Sequence, residues 1–183
     1  TNICDEMKKA VKDMENDNFT IRFEDVTDYL TSISDKLPLR DYYSKTTYFR
    51  MFIAEMFPEY EKAIYIDSDT VVPGDISELY FHDLKDNYVG AANEQVMIQE
   101  NVYGEYVEKV LGIDRYHYFN AGLLLINCEQ FRENHVLDQF VDLLHTYNFV
   151  VTQDEDYLNL ICKDKVLWLE QPWNTEVFGD IAY

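Results

Sequence analysis

Apolar and polar positions follow two rhythms along the chain. From Tyr42 to Phe57 the run YYSKTTYFRMFIAEMF places apolar residues at helical spacing, and Pro58 closes it. His135–Tyr147 sets Val136, Leu137, Phe140, Val141, Leu143 and Leu144 on one face, which predicts an amphipathic helix. Further helices are expected over Asp5–Met14 and through DEDYLNLIC, from Asp154. Short apolar runs read as strands: FTIRFEDV from Phe19, Ala63–Ile66, YVGAANE at Tyr88–Glu94, Gly122–Ile126 with a helical turn after it, and KVLWLE. Strands alternating with helices predict an α/β domain with a largely parallel sheet. No repeat, low-complexity tract or Gly/Ser linker divides residues 1–183, so one domain is expected. In such sheets polar residues just past the carboxyl ends of strands line the ligand crevice. Asp67, Asn93 and Glu170 have that address, whereas Asn120 stands at the entry of its run.

Composition narrows the functional classes. The chain has 183 residues, 47% apolar and 15% aromatic, enough for a real core and too apolar for disorder. Its net charge of −20 argues against a nucleic-acid partner, which needs a lysine and arginine surface, and against an anionic membrane patch. An acidic chain still binds an anionic small molecule when a metal ion reverses the local sign. Cys4, Cys128 and Cys162 form neither a zinc pattern nor a disulfide framework, which favours a reducing compartment, and the latter two read as core residues. No run of eighteen apolar residues and no signal peptide are present. The opening TNICDEMKKAV is a helix without a preceding strand, and VFGDIAY ends equally abruptly; both read as the edges of a piece.

The candidate chemistry sits in AIYIDSDTVVPGDISELY, Ala63 to Tyr80. An apolar strand ends on Asp67 and Asp69, two like charges that need a cation, a shared proton or solvent. Asp154-Glu155-Asp156 is a second acidic triplet, and such triplets arise by chance in an acidic chain. A hard divalent cation with oxygen ligands accounts for two carboxylates at a sheet edge. An EF-hand fails, because Val71 occupies the third ligand position. A haloacid-dehalogenase-type phosphatase fits IDSDTVV, with Asp67 as nucleophile and Asp69 as acid/base. Roughly a third of the chain precedes the motif, however, and no lysine stands at a suitable strand end. In a nucleotide-sugar transferase, a metal held by the two aspartates would act as Lewis acid on the departing diphosphate. That removes the need for a glycine-rich phosphate loop, and the six glycines here are scattered.

YFRMFI, AIYIDSDTVVPGDISELY, YFNAGLLLINCEQFRE and QDEDYLN, in that order, resemble the family-8 glycosyltransferases, retaining enzymes of GT-A fold. The resemblance runs from about Thr1 to Asn174 and covers four blocks where the phosphatase reading covers one. It implies that Asp67 and Asp69 hold Mn²⁺, with Mg²⁺ as the alternative, against the donor diphosphate, with Ser68 between them in the donor site. It implies Arg50 and the turn Asn120, Ala121 and Gly122 beside the donor sugar. Asp154 would bind sugar hydroxyls, and Asp154 and Glu155 would be the catalytic residues. Glu155 stands where many members carry glutamine, and electrostatic stabilisation of the transition state is the role expected of it.

The resemblance further implies a UDP-hexose donor, galactose or glucose, and a glycan acceptor, of lipopolysaccharide type or another surface glycan. It implies a cytoplasmic protein, at most peripheral to the inner face of the membrane through segments outside this chain. The family's first strand is expected before Thr1. Its His-x-x-Gly-x-x-Lys-Pro-Trp segment, with the third metal ligand, is expected after Tyr183; His82, His117, His135 and His145 lie in no such pattern. A non-catalytic nucleotide-sugar binding domain is the remaining alternative.

Overall fold

The computed structural model describes residues 3–32, 45–149, 151–152 and 154–176. Two compact units are present, residues 1–36 and 37–183. In the first, helix α1 (Asp5–Lys12) carries acidic residues in its first turn and lysines in its last, an order that suits the helix dipole. Helix α2 spans Thr27–Ser32. The strand expected from Phe19 does not form. The backbone there makes only an isolated bridge, Asn16 to Phe19, and Ile21 N donates to the Glu15 carboxylate instead of to a ladder. With no neighbouring strand among the described residues, the main chain finds a side-chain acceptor instead.

In the second unit a 3₁₀ turn, Lys45–Tyr48, leads into helix α3 (Phe49–Met56). The first three residues of the expected Tyr42–Phe57 helix lie outside the described residues. Strand β1 (Lys62–Ile66) precedes helix α4 (Ile76–Tyr80), whose start is capped by the Asp75 carboxylate accepting from Ser77 N. Strand β2 is Val89–Ala91; helices α5 (Gln95–Gln99) and α6 (Asn101–Tyr106) follow it. Strand β3 (Leu123–Asn127), helix α7 (Cys128–Glu133), helix α8 (Val136–Thr146), helix α9 (Asp154–Ile161) and strand β4 (Val166–Trp168) complete the unit.

The sheet order is β1-β3-β2-β4. Only β2 and β4 pair in parallel; β3 runs antiparallel to both β1 and β2. The largely parallel sheet expected from the strand–helix alternation is therefore corrected to a mixed one, with the reversed strand inside it. The consequence is local. The entry of β3 lies at the carboxyl end of β1, with Ile66 opposite Leu123, so residues 120–122 join the crevice that Asp67 opens.

Residues Leu123–Ile126 are all buried, and alternation sends them to two faces. Leu123 and Leu125 join Leu79, Leu84 and Leu169 in one cluster. A second cluster gathers Met97, Val107, Leu111, Ile113 and Tyr118. On α8 the expected apolar face is buried at Val136, Phe140, Val141 and Leu144. Phe140 packs edge-on against Tyr48 (5.3 Å between centroids) and Tyr157 (5.7 Å), tying the turn before α3 to α9. Cys128 and Cys162 are buried free thiols, as expected of core residues, and burial pushes the Cys128 thiol up to about 11. Among the described residues no helix is long and apolar enough to cross a membrane.

Phe140 links the elements that carry the site described below. Phe140→Ala is expected to reduce the unfolding free energy by about 3–5 kcal/mol, read from the urea midpoint at constant m. An unchanged midpoint would contradict this packing.

Candidate functional site

The site is built around one guanidinium. Arg50 lies on α3 and is 7% exposed, although an arginine on a short helix would ordinarily face water. Its Nη2 stands 3.2 Å from Asp67 Oδ1, and its Nε stands 2.7 Å from Asp154 Oδ2. Nη1 donates to the Ala121 carbonyl, Nε also donates to Thr47 O (3.3 Å), and the group lies 4.4 Å over the Tyr65 ring. One cation thus joins α3, β1, the turn before β3 and the start of α9.

Asp67 continues the β1–β3 ladder by one rung, its N–H donating to Gly122 O at 2.8 Å. Its Oδ1 is taken twice, by Arg50 and by the Tyr65 hydroxyl at 2.5 Å. Tyr65 can meet its neighbour but one because side chains two apart share a strand face. Burial together with this bond raises the Tyr65 hydroxyl, keeping it a donor. Among the described residues no donor reaches Asp67 Oδ2. A Cβ on Gly122 would stand 3.1 Å from that oxygen, so glycine leaves it room. Ser68 and Asp69 are exposed on the turn that follows, closed by Thr70 N to Asp67 O.

Asp154 is buried, and removal from water raises its carboxyl to about 6 despite Arg50. The Glu155 carboxyl is raised well above the usual range, first by burial and then by the charge of Glu94; the Ala121 N–H, which donates to Glu155 Oε2 at 2.8 Å, opposes this. Asp154 is thus not a solvated acid at a helix start, whereas Glu155 is only partly buried. Asp156 is fully buried and accepts from Tyr118 (2.8 Å), Tyr106 (2.7 Å) and Thr152 N (3.3 Å). One turn further along α9, Asn159 holds the backbone of Phe119 from both sides, accepting from its N–H (2.8 Å) and donating to its carbonyl (2.9 Å). The turn 120–122 is thereby fixed to the helix bearing Asp154 and Glu155.

All nine site residues expected from sequence lie in this region: Arg50, Asp67, Ser68, Asp69, Asn120, Ala121, Gly122, Asp154 and Glu155. A cavity of about 310 Å³ is lined by Arg50, Asp67, Asn120, Gly122, Asp154 and Glu155, among others. A larger one, about 850 Å³, lies between the loop Asp67–Gly74 and residues 172–176 and shares Asp67, Asn120 and Gly122 with the first. Both fall within the usual range of ligand pockets, roughly 300–1,000 Å³. Asn93 and Glu170 do not join the site: Asn93 Nδ2 donates to Tyr116 O, and Glu170 is exposed.

Several members are invisible to sequence reading. Glu94, 5% exposed, and Glu176 both accept from Asn120 Nδ2. Tyr65, Asn159 and Asn174 complete the set. Glu94 closes the run YVGAANE and could have been suspected as a buried acid at a strand end. Nothing local marks Glu176.

Asp67 Oδ2 and the exposed Asp69 carboxylate are hard oxygen donors, and they fit a divalent cation that takes its other ligands from water or phosphate. Among the described residues no group of three or more His, Cys, Asp or Glu side chains converges on one point.

The glycosyl transferase family 8 model matches residues 2–181. A Haemophilus influenzae protein named "Putative glycosyltransferase" is 36% identical over 135 residues, covering 73% of this chain and 40% of that protein. The lipopolysaccharide 1,2-glucosyltransferase of Escherichia coli is 25% identical over 142 residues, 76% of this chain and 41% of its own. Among solved structures, the galactosyltransferase LgtC in complex with donor and acceptor sugar analogues superposes with a TM-score of 0.75 at 29% identity, over 92% of this chain and 60% of that one. The chain thus spans less than two thirds of each of these relatives. The architecture is the GT-A type of α/β fold, as in LgtC, with the antiparallel β3 as an internal strand. With the model matched over nearly its whole length, the chain belongs to glycosyltransferase family 8.

Proposed function

We propose that residues 1–183 form part of one catalytic domain of a metal-dependent, retaining hexosyltransferase. It moves galactose or glucose from a UDP-sugar to an acceptor hydroxyl on a lipopolysaccharide-type or other surface glycan. The observation that carries this reading is the junction of Arg50 with Asp67 and Asp154 beside two adjoining cavities, with Asp67 Oδ2 left open.

Asp67 and Asp69 hold Mn²⁺ or Mg²⁺. When bound, the cation supplies Lewis-acid stabilisation of the negative charge on the leaving diphosphate. Arg50 aligns Asp67 and, through Nε, sets the Asp154 carboxyl toward the sugar. The Asn120–Gly122 turn forms the wall against the hexose, with Gly122 giving close approach. Glu155 lies in the smaller cavity with Oε2 held by the Ala121 N–H. Burial favours its neutral form, whereas a developing positive charge on the reacting carbon favours the carboxylate, and this difference makes it an electrostatic stabiliser of the transition state. Retention of configuration rests on the family resemblance alone. Galactosyl and glucosyl transfer by LgtC and the E. coli relative supports a hexose, and the latter's name supports the acceptor class. A cytoplasmic protein, at most peripheral to a membrane through other segments, suits this chemistry. A phosphatase using Asp67 as nucleophile is disfavoured, because Arg50 and Tyr65 already engage one of its oxygens.

Asp67→Ala and Asp69→Ala are each expected to abolish cation-dependent binding of UDP-glucose or UDP-galactose by calorimetry; unaltered affinity and cation dependence would refute the assignment. Release of phosphate from small phosphomonoesters would favour the phosphatase, and donor binding without turnover the non-catalytic domain. Glu155→Gln is expected to lower kcat at saturating donor with little change in KM, and full turnover would remove the electrostatic role. Arg50→Leu leaves two carboxylates without their cation and is expected to destabilise by about 3–5 kcal/mol. Adding Asp154→Asn should restore part of that loss in thermal melts; no restoration would place the cost elsewhere.

A further inference from the structure

We propose that Glu176 is a positioning residue acting in its protonated form: its carboxyl donates to Glu94, and the two acids together grip the side-chain amide of Asn120. This rests on the reading of the Asn120–Gly122 turn as the donor-sugar wall.

The geometry leaves Asn120 with no free valence. Its two amide hydrogens go to Glu94 Oε2 (2.5 Å) and Glu176 Oε1 (2.9 Å). Its Oδ1 accepts from Gly122 N (2.7 Å) and Asn174 Nδ2 (2.7 Å). Two donors and two acceptors exhaust a primary amide. Flipping the amide would set its oxygen against two carboxyls and its nitrogen against two donors, so the orientation is determined. Asn120 is therefore held as a strut, and it shapes the wall through its backbone and through Gly122.

A second observation concerns charge. Glu176 Oε2 is buried, and among the described residues no donor reaches it. An unpaired buried carboxylate oxygen is costly, and here a second carboxyl stands on the same amide nitrogen. A proton on Glu176 resolves both difficulties, turning two repelling acceptors into a donor and an acceptor, as in carboxyl pairs that share one proton. Burial and the bond to Glu94 raise the Glu176 carboxyl to about 8, in the same sense. The groups facing the pair are Asn120 before β3, Asn174 on the same segment as Glu176, and Glu155 of α9, whose carboxyl feels the Glu94 charge. The grip joins the loop after β2 to residues 171–176, the wall of the larger cavity.

A glutamine at 176 reproduces the protonated acid, since Oε1 can accept from Asn120 while Nε2 donates to Glu94. The test measures UDP-hexose affinity with Mn²⁺, together with melting temperature from pH 5 to pH 9, for the wild type, Glu176→Gln and Glu176→Ala. Glu176→Gln is expected to bind as the wild type does at pH 7, and Glu176→Ala about tenfold more weakly. A Gln variant as weak as the Ala variant overturns the proposal. The melting profile gives a second readout that simple loss of packing would not produce. A carboxyl whose folded-state pKa is raised stabilises most below its unfolded value, and that contribution is lost as pH rises to about 8. The stability of the wild type relative to Glu176→Gln should therefore fall across this window, and a flat difference overturns the proposal. Should the wild type not bind UDP-hexose at all, the transferase reading fails, while the melting profiles still decide the protonated pair.

Discussion

The contact of Arg50 with two carboxylates organises everything else in the site. A buried guanidinium with one carboxylate partner would leave an acid on α9 unpaired in a low-dielectric setting; with two, the charges of Asp67 and Asp154 share it. Because Asp67 follows β1 and Asp154 begins α9, the same contact sets the distance between the turn after β1 and the acids at the start of α9. The Ala121 carbonyl is a further acceptor on the same group, so the turn 120–122 is referenced to it as well. The aromatic face of Tyr65 beneath the guanidinium limits its remaining freedom.

The reversed strand β3 makes that junction geometrically accessible. Were β3 parallel to β1, residues 120–122 would enter the sheet at the opposite edge, a strand's length from Asp67. Antiparallel pairing places Gly122 across from Asp67 and lets its carbonyl bond the aspartate's N–H. Asn159 then locks the preceding backbone onto α9. Three elements distant in sequence are held by hydrogen bonds to main chain, which side-chain substitution on the turn itself does not remove.

The site is also a problem in acid placement. Glu94, Asp154, Glu155, Asp156 and Glu176 crowd a small volume, with Arg50 as the buried cation that pairs with one of them. The acids are accommodated in different ways. Asp156 remains buried by accepting three hydrogen bonds, two from tyrosine hydroxyls. Asp154 leans on Arg50, and Glu155 is pushed toward its neutral form. Asp67, half-buried, and Asp69, exposed, stand apart from that cluster at the open edge.

Much was legible without coordinates. The paired aspartates, the helix bearing Arg50, the turn Asn120–Gly122 and the acidic start of α9 each carry a local pattern, because strand ends, turns and helix starts are written in neighbouring residues. The burial of Phe140 and its helix face followed from periodicity alone. Tertiary structure decided the rest. It cancelled the strand from Phe19, which has alternation but no strand partner among the described residues. It reversed β3, since a run of leucines states burial and not direction. It buried Arg50, brought Tyr65 onto Asp67, and set Glu94 and Glu176 on one amide from positions 82 residues apart in the chain. Hydrophobic spacing records which residues leave water; which charged groups meet once they have left it depends on strand direction and packing, and these are properties of the assembled chain.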